Sequence, residues 1–521
     1  MAQKTSRHEN NLQKLLRGDV DFRTLTRILY STDASIYQII PQGVVFPKDN
    51  VDVSRLVQYA RDNGLSLHPR GAGSGLSGDS LGTGLIVDFS RYYRRIREIN
   101  PDKKYAIVEP GITLDELNRE VAKYNLIFGP DPASGNRATF GGITANNSTG
   151  AHSLKYGTTR DHLESVDVIL SDGSVATFGK KNLSDLPAPL KPLTDILRTN
   201  QEAIDRGYPD QVRNSAGYLL KGVLQNDTLD LAKLYAGSGG TLSLATSITV
   251  RLSDKPTRNG LLLLAFRSLK EAGTAVPVLL QSNPSSLELI DGQVITIARK
   301  GGNPEVQALL PKDAQAVLIL EQDGESDDEV YEKIQGSIRL GESLKPLALK
   351  PALKLSDKNL IWAIRKSTTP LLYKNPFNLE PVEFIDDGAI PAIRLPEYFD
   401  GLENIFKKHE LQCAFYGHAG HGELHLRPFM DFKKADDLRK MEQVADEFFE
   451  LVVSLGGTIS GEHGDGLLRA GFVPRQYPEL FPVFKQIKET LDPENTFNPG
   501  KKIPAPDHKI SDNLRYGTTF Q

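Results

Sequence analysis

The chain alternates between two hydrophobic periods, one of 3.6 residues and one of 2, which predicts mixed helices and strands over most of its length. The segment before Tyr37 reads as short helices. From Asn50, Val53, Leu56, Val57 and Ala60 fall on one helical face, and Asn63-Gly64 ends that helix. Leu65-Ser-Leu-His-Pro69, Leu85-Ile-Val-Asp-Phe89 and Tyr105-Ala-Ile-Val108 read as strands. Thr113-Leu-Asp-Glu116 is a capping box that opens a helix running toward Asn125. Val166-Asp-Val-Ile-Leu170 and Val175-Ala-Thr-Phe178 flank Asp172-Gly173, a strong hairpin signal. Residues 129–157 have little periodicity and predict a long loop, rich in Gly, Ser, Thr and Asn, of the kind that wraps a ligand with free backbone N–H groups. Strand signals resume at Thr246–Val250, Pro256 marks a boundary, and Ala316-Val-Leu-Ile-Leu320 is a further strand. A late helix carries Leu438, Met441, Val444, Ala445, Phe448 and Phe449 on one face and stops at Gly456-Gly457.

Composition narrows the class. With 521 residues, 39% hydrophobic and 25% charged, the chain reads as a globular protein of roughly two to four domains. A net charge of -4 and no long basic run give no reason to expect a nucleic acid. The polar N-terminus has no signal-peptide core, and apolar runs such as Leu261-Leu-Leu-Leu-Ala-Phe266 are strand-sized rather than membrane-spanning. These features predict a cytoplasmic protein, with a peripheral position on the inner face of a membrane left open. Cys413 is the single cysteine, which excludes an intrachain disulfide and a cysteine-ligated iron–sulfur cluster and fits a buried residue at a strand start. Any electrons handled here sit on an organic cofactor or leave through a partner.

The densest chemistry lies late in the chain, in Tyr416-Gly-His418-Ala-Gly-His-Gly-Glu-Leu-His425-Leu-Arg427 and Ser460-Gly-Glu462-His463-Gly-Asp465. Glycine-broken segments carrying imidazoles and carboxylates suit a metal or proton-transfer site, although ten histidines over the chain also permit chance spacing. Glu423, His425 and Arg427 share one face of a strand beginning after Gly422. Arg427 could then grip a carboxylate bidentately, its bland alternative being a surface ion pair. His421 reads as a loop substituent. Glu383 and Asp386-Asp387 read as lining the same region or as solvated charges before a turn.

Gly73-Ser-Gly75-Leu-Ser-Gly78 matches the dinucleotide fingerprint formally and follows a strand. The fingerprint must open a helix, but Gly82 and Gly84 oppose one and the next element is the strand from Leu85. The pattern is strand–loop–strand, whose backbone N–H groups can cradle a diphosphate without a nicotinamide fold.

His68-Pro-Arg-Gly-Ala-Gly-Ser-Gly75, Gly129-Pro-Asp-Pro-Ala-Ser134, Gly141-Gly142, Asn146-Asn147, Tyr156-Gly157 and Tyr235-Ala-Gly-Ser-Gly-Gly-Thr-Leu242 together resemble the FAD-binding domain of the vanillyl-alcohol oxidase/p-cresol methylhydroxylase (PCMH) type. The C-terminal segments, with Leu491-Asp-Pro-Glu-Asn-Thr-Phe-Asn-Pro-Gly500, resemble the FAD-linked oxidases that include D-lactate dehydrogenases, the D-type subunits of glycolate oxidases and D-2-hydroxyglutarate dehydrogenases. The likeness runs from about Asp33 to Lys502. Thr32-Asp-Ala-Ser-Ile-Tyr37 and the 417–428 segment are most similar to the flavin half of proteins that fuse a flavin dehydrogenase to an iron–sulfur region. Asn513-Leu-Arg-Tyr-Gly517 resembles the point where that half gives way, so the chain is either a fragment or works with a separate electron-relay subunit.

The resemblance implies an α+β protein: an N-terminal helical segment (1–36), a PCMH-type FAD-binding domain of two subdomains (37–255), an α+β cap holding the substrate (256–430), a C-terminal helical segment completing the active site (431–505) and a tail (506–521). FAD contacts are implied for Pro69, Arg70, Gly71, Ala72, Gly73, Ser74, Gly75, Pro132, Ser134, Gly141, Gly142, Thr144, Asn146, Gly150, Tyr156, Gly157, Gly237 and Asn498. Ser74 stands where covalent relatives carry a flavin-linking histidine, which implies noncovalent FAD. Gly239 stands where the family has a glutamate, so a carboxylate near the cofactor is missing. The metal ligands implied are His418, His425 and Glu462, for zinc or manganese. His463 is the implied base, its alternative being a histidine that only supports Glu462. Arg365, in Trp362-Ala-Ile-Arg-Lys-Ser-Thr-Thr369, matches the arginine that grips the C1 carboxylate, and Thr369 joins it.

The expected activity is FAD-dependent dehydrogenation of a D-2-hydroxy acid, D-2-hydroxyglutarate or D-lactate, with hydride passing to flavin N5. Electrons would go to an acceptor other than NAD: a quinone, an electron-transfer protein, or an iron–sulfur subunit or domain outside the chain. The competing expectations are a non-redox flavin transferase of the alkyl-dihydroxyacetone-phosphate synthase kind and a flavin subunit of a larger complex.

Overall fold

The structure, a computed structural model, describes residues 2–210, 213–300, 309–373 and 379–518; the side chains of 2–6, 298, 300, 366, 367 and 369–371 fall outside that description. Three larger sheets position the site. The first orders Asp19–Asp21, Gly43–Phe46, Leu85–Asp88 and Leu67–Arg70 side by side, the last two parallel. The predicted strand at 65–69 therefore starts two residues later, because Leu65 is still hydrogen-bonded to Ala60 at the end of the helix Asn50–Asp62. Residues 71–84 join two parallel strands without an intervening helix, so no Rossmann turn forms, as Gly82 and Gly84 lead one to expect.

A seven-stranded sheet follows, with Leu163–Ile169 and Val175–Asn182 paired as the hairpin that Asp172-Gly173 predicts; Gly173 takes the positive φ (84°) its turn needs. The Thr113 capping box forms, with Glu116 reaching back to the Thr113 N–H. Residues 129–157 are not one long loop. They contain the short helices Phe140–Asn146 and Ser153–Tyr156, because Phe140 and Ile143 bury against the core, Phe140 edge-on to Phe128. Burial outweighs the poor helix propensity of Gly141-Gly142.

The third sheet has eight strands, and its central run is Arg258–Phe266, Ala316–Gly324, Ser286–Asp291, Cys413–His418 and Glu423–Met430, all antiparallel neighbours. One face of this run packs on the helices Gly292–Lys300 and Leu355–Leu372. The helix Ala435–Ser454 buries the predicted face through Met441, Val444, Phe448 and Val452, and Gly456 beyond its end takes φ 75°. Core residues from the glycine-rich part and from the large sheet form one continuous cluster, for example Phe140 with Leu289 and Leu424.

Asp291 ends the strand Ser286–Asp291 fully buried, its Oδ1 accepting the Val294 N–H at 2.9 Å. Burial pushes its carboxyl from 3.8 to about 7, against the backbone N–H groups that pull it down. The folded protein thus keeps a proton there that the unfolded chain releases, and this group's contribution to stability falls as pH rises from about 4 to about 7. Asp291→Asn is expected to remove that slope, a difference on the order of 4 kcal/mol between pH 4 and pH 7. Urea unfolding of both proteins at the two pH values reads it; equal slopes would refute the assignment.

Candidate active site

The strands Cys413–His418 and Glu423–Met430 pair with His418 opposite Glu423, Tyr416 opposite His425 and Ala414 opposite Arg427. Alternation therefore turns His418, His425, Glu423 and Arg427 to one face. The turn between the strands is a 3-10 segment, Ala419–His421, closed by Gly422 at φ 63°, where a Cβ would lie 1.9 Å from the Ile390 carbonyl oxygen. His421 sits in this turn, a loop substituent as its sequence context leads one to expect, and burial and the charge of Arg213 drive its pKa down to about 3, leaving the ring neutral.

The second segment is shaped by Asp387. Its carboxylate accepts the backbone N–H groups of Glu462 and His463, both at 2.9 Å, and the Ser460 hydroxyl at 2.6 Å. This curls residues 460–463 over the first segment. His418 Nε2 and His425 Nε2 then face Glu462 Oε1 at 3.4 and 3.7 Å. The ring nitrogens on the far side are engaged by other carboxylates, His418 Nδ1 by Glu288 at 2.6 Å and His425 Nδ1 by Asp386 at 3.1 Å. Two imidazoles held from behind by carboxylates, with their outer nitrogens converging on a third oxygen, form the donor set a divalent cation takes. Burial opposes the charge on His418, yet Glu288 and Glu462 raise its pKa to about 10, so a cation entering there must displace a proton.

His463 stacks on His425 with ring centres 5.2 Å apart. Its Nδ1 faces Asp386 at 3.3 Å and its Nε2 faces Glu462 at 3.6 Å. Burial works against its charge, but Asp387 and Asp386 raise its pKa to about 10. Arg427 is not a surface ion pair. It is buried between Asp386 at 2.9 Å and Glu383 at 3.2 Å. Arg365 hydrogen-bonds Glu288 through Nε at 2.8 Å and lies over the Tyr416 ring. Glu288 thus joins Arg365 to His418. The Thr369 side chain lies outside the described residues.

One cavity of about 1060 Å³ is lined at one end by this cluster and at the other by the glycine loop 71–76. Pro69, Arg70, Gly71, Ala72, Gly73, Ser74, Gly75, Pro132, Ser134, Gly141, Gly142, Asn146 and Asn498 line it, as do His418, His425, Glu462, His463, Arg365 and Arg427. Thr144, Gly150, Tyr156, Gly157 and Gly237 do not. Thr144 bonds the Phe140 carbonyl, Gly150 abuts Asp131, the Tyr156 ring covers Gly129, and Gly157 and Gly237 supply positive-φ turns behind the wall. The Ser77 hydroxyl and Arg469 tie the glycine loop to the backbone of Gly464, so the two ends hold a fixed relation.

The cavity suits a flavin dinucleotide. Added Cβ atoms on Gly75 and Gly142 would meet nothing closer than 3.7 and 3.9 Å, so their missing side chains leave room to the ligand. Among the described residues, the backbone N–H groups of 71–76 donate to no protein acceptor. Asp79, Thr139 and Ser243 keep buried oxygens without a protein partner beside it. Gly239, where a glutamate is expected in the family, sits on the wall with φ 66°, a backbone that disfavours any side chain.

Residues 41–179 match the family described as FAD binding domain, and residues 255–502 match FAD linked oxidases, C-terminal domain. Glycolate oxidase subunit GlcD of Escherichia coli (strain K12) is 30% identical over 92% of this chain and 87% of its own length. The chain belongs to the FAD-linked oxidase family. As a family member it carries the FAD-binding and FAD-linked oxidase C-terminal domains on a PCMH-type fold. D-2-hydroxyglutarate dehydrogenase of Pantoea ananatis (strain AJ13355) is 30% identical over 93% of this chain but only 50% of its own length, so this FAD-linked oxidase spans about half of such relatives. Among solved structures, p-cresol methylhydroxylase with substrate bound superposes with a TM-score of 0.70 at 13% identity, over 97% of this chain and 98% of that one. Alkyldihydroxyacetonephosphate synthase superposes with 0.66 at 16% identity, over 95% and 84%. These two likenesses concern the fold alone. No helix among the described residues of this family member is long and apolar enough to cross a membrane.

Glu288, Arg213, Glu321 and His152 are not legible as site residues from the sequence. A charged residue inside the apolar run Ser286–Asp291 is the one available signal, for Glu288.

Proposed function

We propose that this protein is an FAD-dependent D-2-hydroxy-acid dehydrogenase that passes electrons to an acceptor other than NAD. The observation that carries the reading is the single cavity shared by a dinucleotide cradle and a His/Glu/Arg cluster. FAD, when bound, supplies the hydride acceptor. The chain's residues supply binding, orientation and proton transfer. Arg365, held by Glu288 and resting on Tyr416, is the anchor for the substrate's C1 carboxylate. His418, His425 and Glu462 would hold a divalent ion, zinc or manganese, which would acidify the substrate hydroxyl. His463 then takes the hydroxyl proton; the positive charge of such an ion would draw its pKa down from the value its carboxylate neighbours set.

A cytoplasmic setting, and a quinone, electron-transfer protein or iron–sulfur partner as acceptor, belong to the same proposal, as does the division at about residue 255 between FAD-binding and substrate domains. The transferase alternative has support from fold likeness. It has no use for the His418, His425 and Glu462 donor set that this end of the cavity carries, and that set favours the dehydrogenase reading.

Arg365→Met is expected to raise the KM for a D-2-hydroxy acid by roughly 10- to 100-fold, with a smaller change in kcat. Steady-state kinetics with an artificial acceptor measures it, and an unchanged KM would remove the anchor role.

A further inference from the structure

The cavity does not end at Arg365. Across the strand pair Ser286–Asp291 and Ala316–Gly324, Ser286 is opposite Glu321 and Glu288 is opposite Ile319, so Glu288 and Glu321 are diagonal neighbours on one face, about 7–8 Å apart at Cα. Glu321 is opposite Leu261 on the next strand, which puts Asn259 on that face too. The row from His418 through Glu288 to Glu321 therefore forms a floor running away from the cation-type cluster.

Glu321 is 5% exposed and lines the cavity. Its Oε1 accepts Asn259 Nδ2 at 2.8 Å and faces His152 Nε2 at 3.5 Å; the Trp362 side chain is a further donor toward the carboxylate, while its Oε2 is buried and completes no well-formed hydrogen bond with the protein. Trp362 and His152, whose rings lie 6.4 Å apart, wall the same end. The cations here are already committed: His152 Nδ1 to Asp131 at 2.5 Å, Lys358 to Asn259 Oδ1 at 2.7 Å and Lys155 to Asp323 at 2.8 Å. Among the described residues no arginine or lysine at this end is left to receive an anion.

We propose that this floor is a distal substrate subsite, in which Glu321 Oε2 accepts a hydrogen bond from a hydroxyl on the tail of the 2-hydroxy acid while Trp362 covers the tail's carbon face. The preferred substrate class is a hydroxylated-chain acid of the aldonate type, longer than lactate and without a second carboxylate. A dicarboxylate would set its distal charge against Glu321 and Asp131, where His152 already serves both carboxylates and no uncommitted arginine or lysine is present among the described residues. The inference rests on the dehydrogenase reading above.

The test uses the holoprotein, reduced anaerobically in a stopped flow by D-lactate, D-2-hydroxyglutarate and D-gluconate in turn. The expected second-order rate for D-gluconate exceeds that for D-2-hydroxyglutarate at least tenfold, and Glu321→Gln lowers the ratio of D-gluconate to D-lactate rates about tenfold. Flavin content and melting temperature of the variant report whether it is folded. Fastest reduction by the dicarboxylate, or a rate ratio untouched by Glu321→Gln in a folded variant, overturns the subsite while leaving the dehydrogenase reading intact. No reduction by any of the three acids strikes the dehydrogenase reading itself.

Discussion

Under the proposed ligand assignment, Glu462→Gln is expected to abolish divalent-metal binding and to slow substrate-driven flavin reduction about a thousandfold, the several kcal/mol a Lewis acid contributes to a developing alkoxide. The carboxylate sits at the centre of the cluster, facing His418 and His425 through Oε1 and receiving the Thr149 hydroxyl at 2.8 Å through Oε2. Burial opposes its charge, yet Arg213 and His418 hold its pKa well below the ordinary value, so it is an anion ready for a cation at any working pH. The amide keeps the shape and removes the charge. Elemental analysis of wild type and variant, with reduction rates before and after chelation, measures both effects. Full metal content in Glu462→Gln, or full activity in chelated wild type, would refute the ligand assignment.

Arg213→Met is expected to destabilise the protein by about 3–5 kcal/mol, because it leaves buried carboxylates without their counter-charge. Arg213 is buried, bonding Glu423 through Nε at 2.6 Å and the Gly150 carbonyl at 3.1 Å, and it lies 3.6 Å from Glu462. Burial pushes Glu423 well up even with the arginine present, so its removal drives Glu423 to take a proton. The loss should therefore be smaller in acid than at neutral pH, where both carboxylates must stay charged or pay to neutralise. Denaturant unfolding at pH 5 and pH 8 tests this; a loss below about 1 kcal/mol at pH 8 would mean the arginine is not what balances the cluster.

Much of the site is legible because its parts recur as local strings. The 416–427 segment places His418, His425 and Arg427 on two strands joined by a turn, the 460–465 segment sets Glu462 beside His463 in a loop, and glycine spacing marks the cradle at 71–75. The strand–loop–strand reading of residues 67–88 follows from two glycines that oppose a helix. What stays hidden depends on pairing across long separations. Glu288 reaches His418 only because strands 130 residues apart are neighbours in one sheet, and Arg213 reaches Glu423 across 210 residues. Nothing local in either residue's surroundings announces that partner. The short helix Phe140–Asn146 is masked by its glycines, since the burial of Phe140 and Ile143 that forms it is a property of the assembled core. The sequence offers Arg427 as a ligand for substrate carboxylate, yet Asp386 and Glu383 already occupy its guanidinium, which makes Arg365 the better anchor.

The dehydrogenase chemistry is tested most directly by anaerobic mixing of the FAD- and metal-loaded protein with D-2-hydroxy acids, D-lactate, D-2-hydroxyglutarate and D-gluconate among them, while following the flavin's yellow absorbance band. At least one D acid is expected to bleach the band and yield the matching 2-oxo acid, with the L enantiomers inert. A band that persists with every D-2-hydroxy acid, in protein shown to contain both FAD and metal, would contradict it.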